Sequence, residues 1–61
     1  MKARESLKIL KADGWYEVEQ RGSHVQLKHP SKPGKVTVAV HGSKDIPIGT
    51  AKQIMKQAGL E

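Results

Sequence analysis

Gly22, Ser23 and His24 form the part of this chain whose residue types are best suited to chemistry. Histidine is the only side chain whose unperturbed pKa lies near neutrality, so an exposed imidazole can accept and release protons at physiological pH. A second histidine, His41, follows a run of alternating valines, and the carboxylate of Glu19 precedes the Gly-Ser-His segment. His24, His41 and Glu19 are therefore candidates for acid and base catalysis, provided that the fold brings them together.

Basic residues dominate the charge of the chain. Its 61 residues contain 11 Lys and Arg against 6 Asp and Glu, which gives a formal net charge of +5. Such a charge favours a polyanion as partner, although it also serves solubility, and composition alone leaves both readings open. Our candidates for contacts to RNA are Arg21, Ser23, Lys28 and Lys35. Contacts to phosphates and 2′-hydroxyls are expected, because one Trp, one Tyr and no Phe are too few to stack several unpaired bases.

The sequence lacks the residues that several classes of functional site require. The chain has no Cys, and its three His and six acidic residues show no metal-ligand spacing, so we expect neither a disulfide, a metal nor a cofactor. No GxSxG segment supports a serine hydrolase, and residues 41–44 form at most a weak anion-binding loop. We also expect no signal peptide and no membrane span, which predicts a cytoplasmic protein.

Hydrophobic spacing predicts one α+β domain over residues 1–61. Residues 2–12 have helical periodicity and end at Asp13-Gly14, and a second helix begins at Thr50, as its cap or first residue, and stops at Gly59. Between them, residues 15–20, 24–28 and 35–41 alternate as strands, with loops at 30–34 and 42–47. The short links make the sheet antiparallel, so we predict a two-layer α-β-β-β-α sandwich with both helices on one face.

Side-chain alternation assigns the predicted strand residues to two faces. The predicted core face carries Tyr16, Val18, Val25, Leu27, Val36, Val38 and Val40. The predicted open face carries Trp15, Glu17, Glu19, His24, Gln26, Lys28, Lys35, Thr37, Ala39 and His41. Trp15 is expected to pack at the edge of the sheet, and His29 to finish its strand or contact a phosphate.

A two-residue turn at Arg21-Gly22 would fix the strand register. Glu19 then lies opposite His24, where its carboxylate favours the charged form of the imidazole. In the second hairpin, His24 lies opposite either Ala39 or His41. On RNA, such groups suffice for metal-independent cleavage, in which a base takes the 2′-hydroxyl proton and an acid protonates the leaving 5′-oxygen.

The chain resembles the HicA toxin family over nearly its whole length, through a set of short motifs in one order. These motifs are Asp13-Gly14-Trp15, Gly22-Ser23-His24, Lys28-His29-Pro30, Val36-Thr37-Val38, Val40-His41-Gly42, Gly49-Thr50 and residues 54–60. The resemblance implies a fold like that of double-stranded-RNA-binding domains. It also implies an mRNA interferase, the toxin of a HicA–HicB type II toxin–antitoxin pair, whose active-site histidine corresponds to His24.

The same resemblance implies two partners, mRNA and a HicB-type antitoxin that restrains the toxin. The sequence departs from the family at Ala39, where many members have proline, and this predicts a more regular third strand. Ala51-Lys52 stands where Leu-Arg is frequent, a change that concerns packing. Two other functions remain compatible with the sequence: a non-catalytic double-stranded-RNA-binding module, and a structural protein that recruits an acidic partner.

Overall fold

The computed structural model describes residues 1–40 and 45–61 and has the predicted element order. The elements are α1 (Ala3–Ala12), β1 (Tyr16–Arg21), β2 (His24–Lys28), β3 (Val36–Ala39) and α2 (Ile48–Gln57). The strands form an antiparallel sheet in the order β1-β2-β3, so the strand that begins with His24 lies in the centre. The predicted α+β sandwich is confirmed.

Both helices cover the same face of the sheet. The inward side chains of β2 and β3 are almost fully buried, while their neighbours along each strand are partly or fully exposed. The core cluster consists of Ala3, Leu10, Trp15, Val25, Leu27, Val36, Val38, Ile46, Ala51, Ile54 and Ala58. Because α1 and α2 both contribute to this cluster, the opposite face of the sheet is left free of helices.

The first helix follows its predicted bounds closely. It begins one residue later than expected and ends at Ala12, followed by Asp13 as its cap, whose backbone N–H donates to the carbonyls of Ile9 and Leu10. Leu10 is fully buried, as the helical spacing of the apolar residues requires. The N-terminus is tied to the segment before α2, because the Ile46 N–H donates to the Met1 carbonyl at 2.6 Å.

The second helix begins at Ile48, two residues before the predicted start, and Thr50 is not its cap. Pro47 occupies the capping position with a φ of −54°, and a proline suits a helix start because its φ is already helical and its missing N–H would have no partner there. The predicted apolar stripe and the stop at Gly59, which has a φ of +74°, are confirmed.

The first strand differs most from its prediction. Trp15, expected on the open face, is buried to 2% exposure, whereas Tyr16 and Val18, expected in the core, are 48% and 46% exposed. A register shift between Glu17 and Glu19 leaves Val18 outside the regular pairing. Such a bulge breaks the strict alternation of faces on which the prediction depended. Burying the larger indole also stabilises the core more, since Trp→Ala substitutions typically cost about 3–5 kcal/mol.

Candidate nucleic-acid interface

His24 is presented by a tight turn that lies one residue later than predicted. Arg21 pairs with His24, so the two turn residues are Gly22 and Ser23 rather than Arg21 and Gly22. Gly22 has a φ of +57° and Ser23 does not have a positive φ, which is the pattern of a type II′ turn with glycine first. The turn is also held to β3, because the Val40 N–H donates to the Ser23 carbonyl at 2.6 Å.

The helix-free face of the sheet, which we call the open face, carries three rows of side chains. Paired residues in an antiparallel sheet share a face, so each row is read from the register. The rows are Arg21-His24-Ala39, Glu19-Gln26-Thr37 and Tyr16-Lys28, the last extended by Lys35 just before β3. His24 and Lys28 therefore lie at opposite ends of the same face.

Glu19 does not lie where the predicted register put it. It pairs with Gln26, not with His24, and Glu17 pairs with Leu27 instead of Gln26. The Glu19 carboxylate accepts a hydrogen bond from Nε of Arg21 at 2.8 Å. The expectation of a carboxylate directly opposite His24 is wrong, because the turn lies one residue later than predicted, while the bulge changes the pairing only before Glu19.

The predicted neighbours Trp15 and Glu17 also leave the open face. Trp15 is in the core, and Glu17 forms an ion pair with Lys11 of α1 at 2.6 Å, which places it on the helix side. Both displacements follow from the bulge at Val18. What remains on the open face of β1 is Tyr16, Glu19 and Arg21.

His24 is exposed beside a groove of about 420 Å³. The groove is lined by Thr37 and Ala39 of β3 and by residues of α2 and the segment before it, including Pro47. His24 pairs with Ala39, one of the two partners that the sequence allowed, and β3 pairs there without irregularity, as predicted from the alanine. The small methyl group of Ala39 leaves space above it.

The imidazole of His24 makes no hydrogen bond to another residue in the ranges 1–40 and 45–61. No described residue therefore occupies either ring nitrogen, and both can meet a ligand. The second predicted histidine, His41, and the predicted anion-binding loop at 41–44 lie outside the described residues.

Lys28 and Lys35 border a second cavity, of about 360 Å³, which His29, Lys32 and Gly34 complete. Neither Lys28 nor Lys35 forms an ion pair with an acidic residue among those described. Their ammonium groups are thus free to neutralise an anion. That both lysines bind phosphates stays a prediction. Arg21, in contrast, forms an ion pair with Glu19.

His29 has a structural role that the sequence did not reveal. Its side chain is only 8% exposed and meets the Trp15 ring edge-on at 5.3 Å between centroids. Its Nδ1 accepts hydrogen bonds from the backbone N–H groups of Ser31 and Lys32, at 3.0 and 3.2 Å. The proton is therefore on Nε2, which donates to the Asp13 carbonyl at 2.6 Å. Both ring nitrogens are occupied, so His29 supplies no proton acceptor to a substrate.

Lys32 joins the ends of both helices. Its Nζ donates to the carboxylate of Asp13 at 2.5 Å and to the carbonyl of Ala58 at 2.9 Å. The hydrogen bond from Lys32 lowers the pKa of Asp13, and the charge of Lys32 acts in the same direction, against partial burial. Sequence reasoning missed this junction, because its members lie 19 and 26 residues apart and no motif links them.

Two other properties of the described residues bear on function. No group of three or more His, Cys, Asp or Glu among them is arranged to hold a metal ion. No helix in those ranges is long and apolar enough to cross a membrane.

The fold and the open face define the class of protein. Two helices on one side of a three-stranded antiparallel sheet, in the order α-β-β-β-α, give a small α+β protein of the double-stranded-RNA-binding-domain type. A family model described as the HicA toxin of bacterial toxin–antitoxin matches residues 3–60. The chain therefore belongs to the HicA toxin family, a family of toxins that act within toxin–antitoxin pairs. None of the curated proteins matches it.

Proposed function

We propose that this toxin is an endoribonuclease that cleaves mRNA, and that residues 1–61 form one RNA-binding nuclease domain. The observation that carries the proposal is the position of His24, which is exposed beside a groove on the same face as Lys28 and Lys35. Neither lysine forms an ion pair with an acidic residue within 1–40 or 45–61. Membership of the HicA toxin family adds support. RNA is the chosen substrate because its 2′-hydroxyl supplies a nucleophile that DNA lacks.

The reaction needs no group beyond proton donors, proton acceptors and cations. A base removes the proton of the 2′-hydroxyl, the 2′-oxygen attacks the adjacent phosphorus, and the bond to the 5′-oxygen breaks as an acid protonates that oxygen. The products are a 2′,3′-cyclic phosphate and a free 5′-hydroxyl. His24 acts as the base or the acid, and His41 is the proposed complementary group.

Glu19 has a lesser part in this proposal than the sequence predicted. Its carboxylate bonds to Arg21 and lies one row away from His24. We therefore assign it no proton transfer. Arg21, Ser23, Lys28 and Lys35 are proposed to bind the RNA strand, the lysines through its phosphates.

The deciding experiment compares the wild type with His24→Ala on RNA. Loss of a general acid or base typically slows a reaction about 10²- to 10⁴-fold, so His24→Ala should leave transcripts intact at matched protein levels. Gln57→Ala, at the exposed end of α2, is the matched control and should cleave normally. Growth arrest and transcript integrity are measured in cells, and product ends are analysed with purified protein.

Each alternative function has its own outcome in this experiment. If His24→Ala binds RNA and arrests growth as the wild type does, with transcripts uncut in both, the protein is a non-catalytic RNA-binding module. If neither protein retains RNA at low salt, it is a structural protein for an acidic partner. An RNA with a single 2′-deoxy sugar at the cut site should resist cleavage, and its cleavage would exclude attack by the 2′-oxygen.

A further inference from the structure

The structure assigns Tyr16, together with Lys28 and Lys35, to a subsite that binds one unpaired nucleotide of the RNA strand. Tyr16 would stack on the base, and the two lysines would bind a phosphate. This inference rests on the proposed function, because it extends the RNA site from His24 to the other end of the open face.

The orientation of Tyr16 follows from the bulge in β1. The residue before Tyr16, Trp15, is buried in the core, and the residue after it, Glu17, forms an ion pair with Lys11 of α1. Both neighbours are thus on the helix side, and Tyr16 pairs with Lys28, whose strand neighbours Leu27 and His29 are turned inward. Tyr16 therefore lies on the open face, where 48% of it is exposed.

The surroundings of Tyr16 suit a nucleotide. Lys28 is directly across from it, Lys35 follows in the same row, and these two lysines border the cavity of about 360 Å³. No described acidic residue forms an ion pair with either lysine. An aromatic ring beside cations is the usual combination by which proteins hold single-stranded nucleic acids, with the ring stacking on a base and the cations meeting the backbone.

The subsite is separate from the reacting phosphate. His24 and Lys28 are four residues apart on one strand and on one face, which corresponds to about 13 Å. The stacked base therefore flanks the cleaved bond at a distance and takes no part in proton transfer. A folded-out or unpaired segment fits this arrangement, since a base inside a duplex cannot present its face to Tyr16.

Binding of short fluorescent single-stranded RNA tests the inference. All variants carry His24→Ala so that the RNA stays intact. Tyr16→Ala should weaken binding about 5- to 150-fold, the range found when a stacking aromatic is removed. Tyr16→Phe keeps the ring and should bind like its parent. Val18→Ala is the control, because Val18 is equally exposed on the same strand but lies outside the paired rows.

The dependence of affinity on salt separates stacking from charge. Tyr16→Ala removes no charge, so the slope of log affinity against log salt should not change. Lys28→Gln and Lys35→Gln should each make that negative slope less steep by about 0.7, as expected for one lost contact to a single-stranded phosphate. A duplex of the same sequence should show no loss from Tyr16→Ala, because its bases are already stacked.

Two results would overturn the subsite, and they differ from a failure of the proposed function. If the parent binds single-stranded RNA and Tyr16→Ala binds it equally well, the subsite is absent although RNA recognition stands. If Tyr16→Ala weakens antitoxin binding but not RNA binding, the ring belongs to a protein interface. If the parent binds no RNA at all, the proposed function and the subsite are both wrong. Circular dichroism of each variant confirms the fold.

Discussion

At the residue scale, His24 and His29 differ in their capacity for proton transfer, because the groups around the two rings differ. His24 is exposed and makes no hydrogen bond to the other described residues, so its nitrogens can meet a substrate. His29 is nearly buried, and backbone groups of Asp13, Ser31 and Lys32 occupy both of its nitrogens. A histidine fixed in this way orients loops, whereas a histidine without such partners can transfer protons.

Asp13 links the charge of one residue to the stability of the fold. Its pKa is lowered in the folded protein by the hydrogen bond from Lys32, relative to an ordinary value of 3.8. Between the two values the unfolded chain binds more protons, so stability rises with pH there. The contribution of Asp13 is complete above about pH 5 and is lost as the pH falls through its folded pKa.

We therefore expect Asp13→Asn to flatten the acid side of the stability curve. The free energy of unfolding is measured by urea titration at several values between about pH 5 and pH 2 for the wild type, Asp13→Asn and Asp45→Asn. Asp45→Asn is the control, because the Asp45 carboxylate forms an exposed ion pair with Lys2. Parallel curves for the wild type and Asp13→Asn would contradict the assignment.

At the element scale, the turn between β1 and β2 and the start of α2 each contain a glycine with a different role. Gly22 needs its positive φ of +57°, and nothing lies within 4 Å of an added Cβ. Gly49 is helical, has no positive φ, and also has nothing within 4 Å of an added Cβ. The two sites therefore differ in backbone conformation and not in available space.

The matched pair Gly22→Ala and Gly49→Ala should shift stability in opposite directions. An alanine forced into the left-handed region costs about 1–2 kcal/mol, whereas alanine in a helix gains about 0.5–1 kcal/mol over glycine. In a chain of this size, 1 kcal/mol corresponds to about 4–8 °C in Tm. Thermal unfolding followed by circular dichroism measures both shifts, and equal shifts would contradict the turn assignment.

At the scale of the whole molecule, charge and shape are divided between the two faces of the sheet. The helices bury one face, while His24, Lys28 and Lys35 remain on the other in a chain with a formal net charge of +5. A toxin of a toxin–antitoxin pair has to be restrained by its partner, and we expect that partner to cover the open face. An acidic or apolar surface would complement it.

We expect the HicB-type antitoxin to inhibit by covering His24 directly. The purified complex should then cleave RNA at a small fraction of the rate of the free toxin, and release of the antitoxin should restore the activity. Lys28→Glu should weaken the complex more than Lys8→Glu, because Lys8 is exposed on α1, away from the open face. Full RNase activity in the intact complex would exclude direct masking.

The sequence by itself determined the element order, the antiparallel sheet, the inward valines of β3 and the exposure of His24. These features depend on local periodicity and on short links, and both can be read along the chain. The placement of Glu19 and Trp15 was wrong, because a bulge and a one-residue turn shift leave no local pattern.

Only the tertiary structure decided which side chains share a site. The contacts of His29 with Asp13 and of Lys32 with Ala58 join residues 16 and 26 positions apart. Tyr16 is exposed because its neighbour Trp15 occupies the core, and the core that holds Trp15 is built by residues from both helices and from β2 and β3. Periodicity assigns a residue to a face only while side chains alternate regularly along the strand. In β1 this alternation is interrupted, and the close packing of Trp15 in the core is part of the reason.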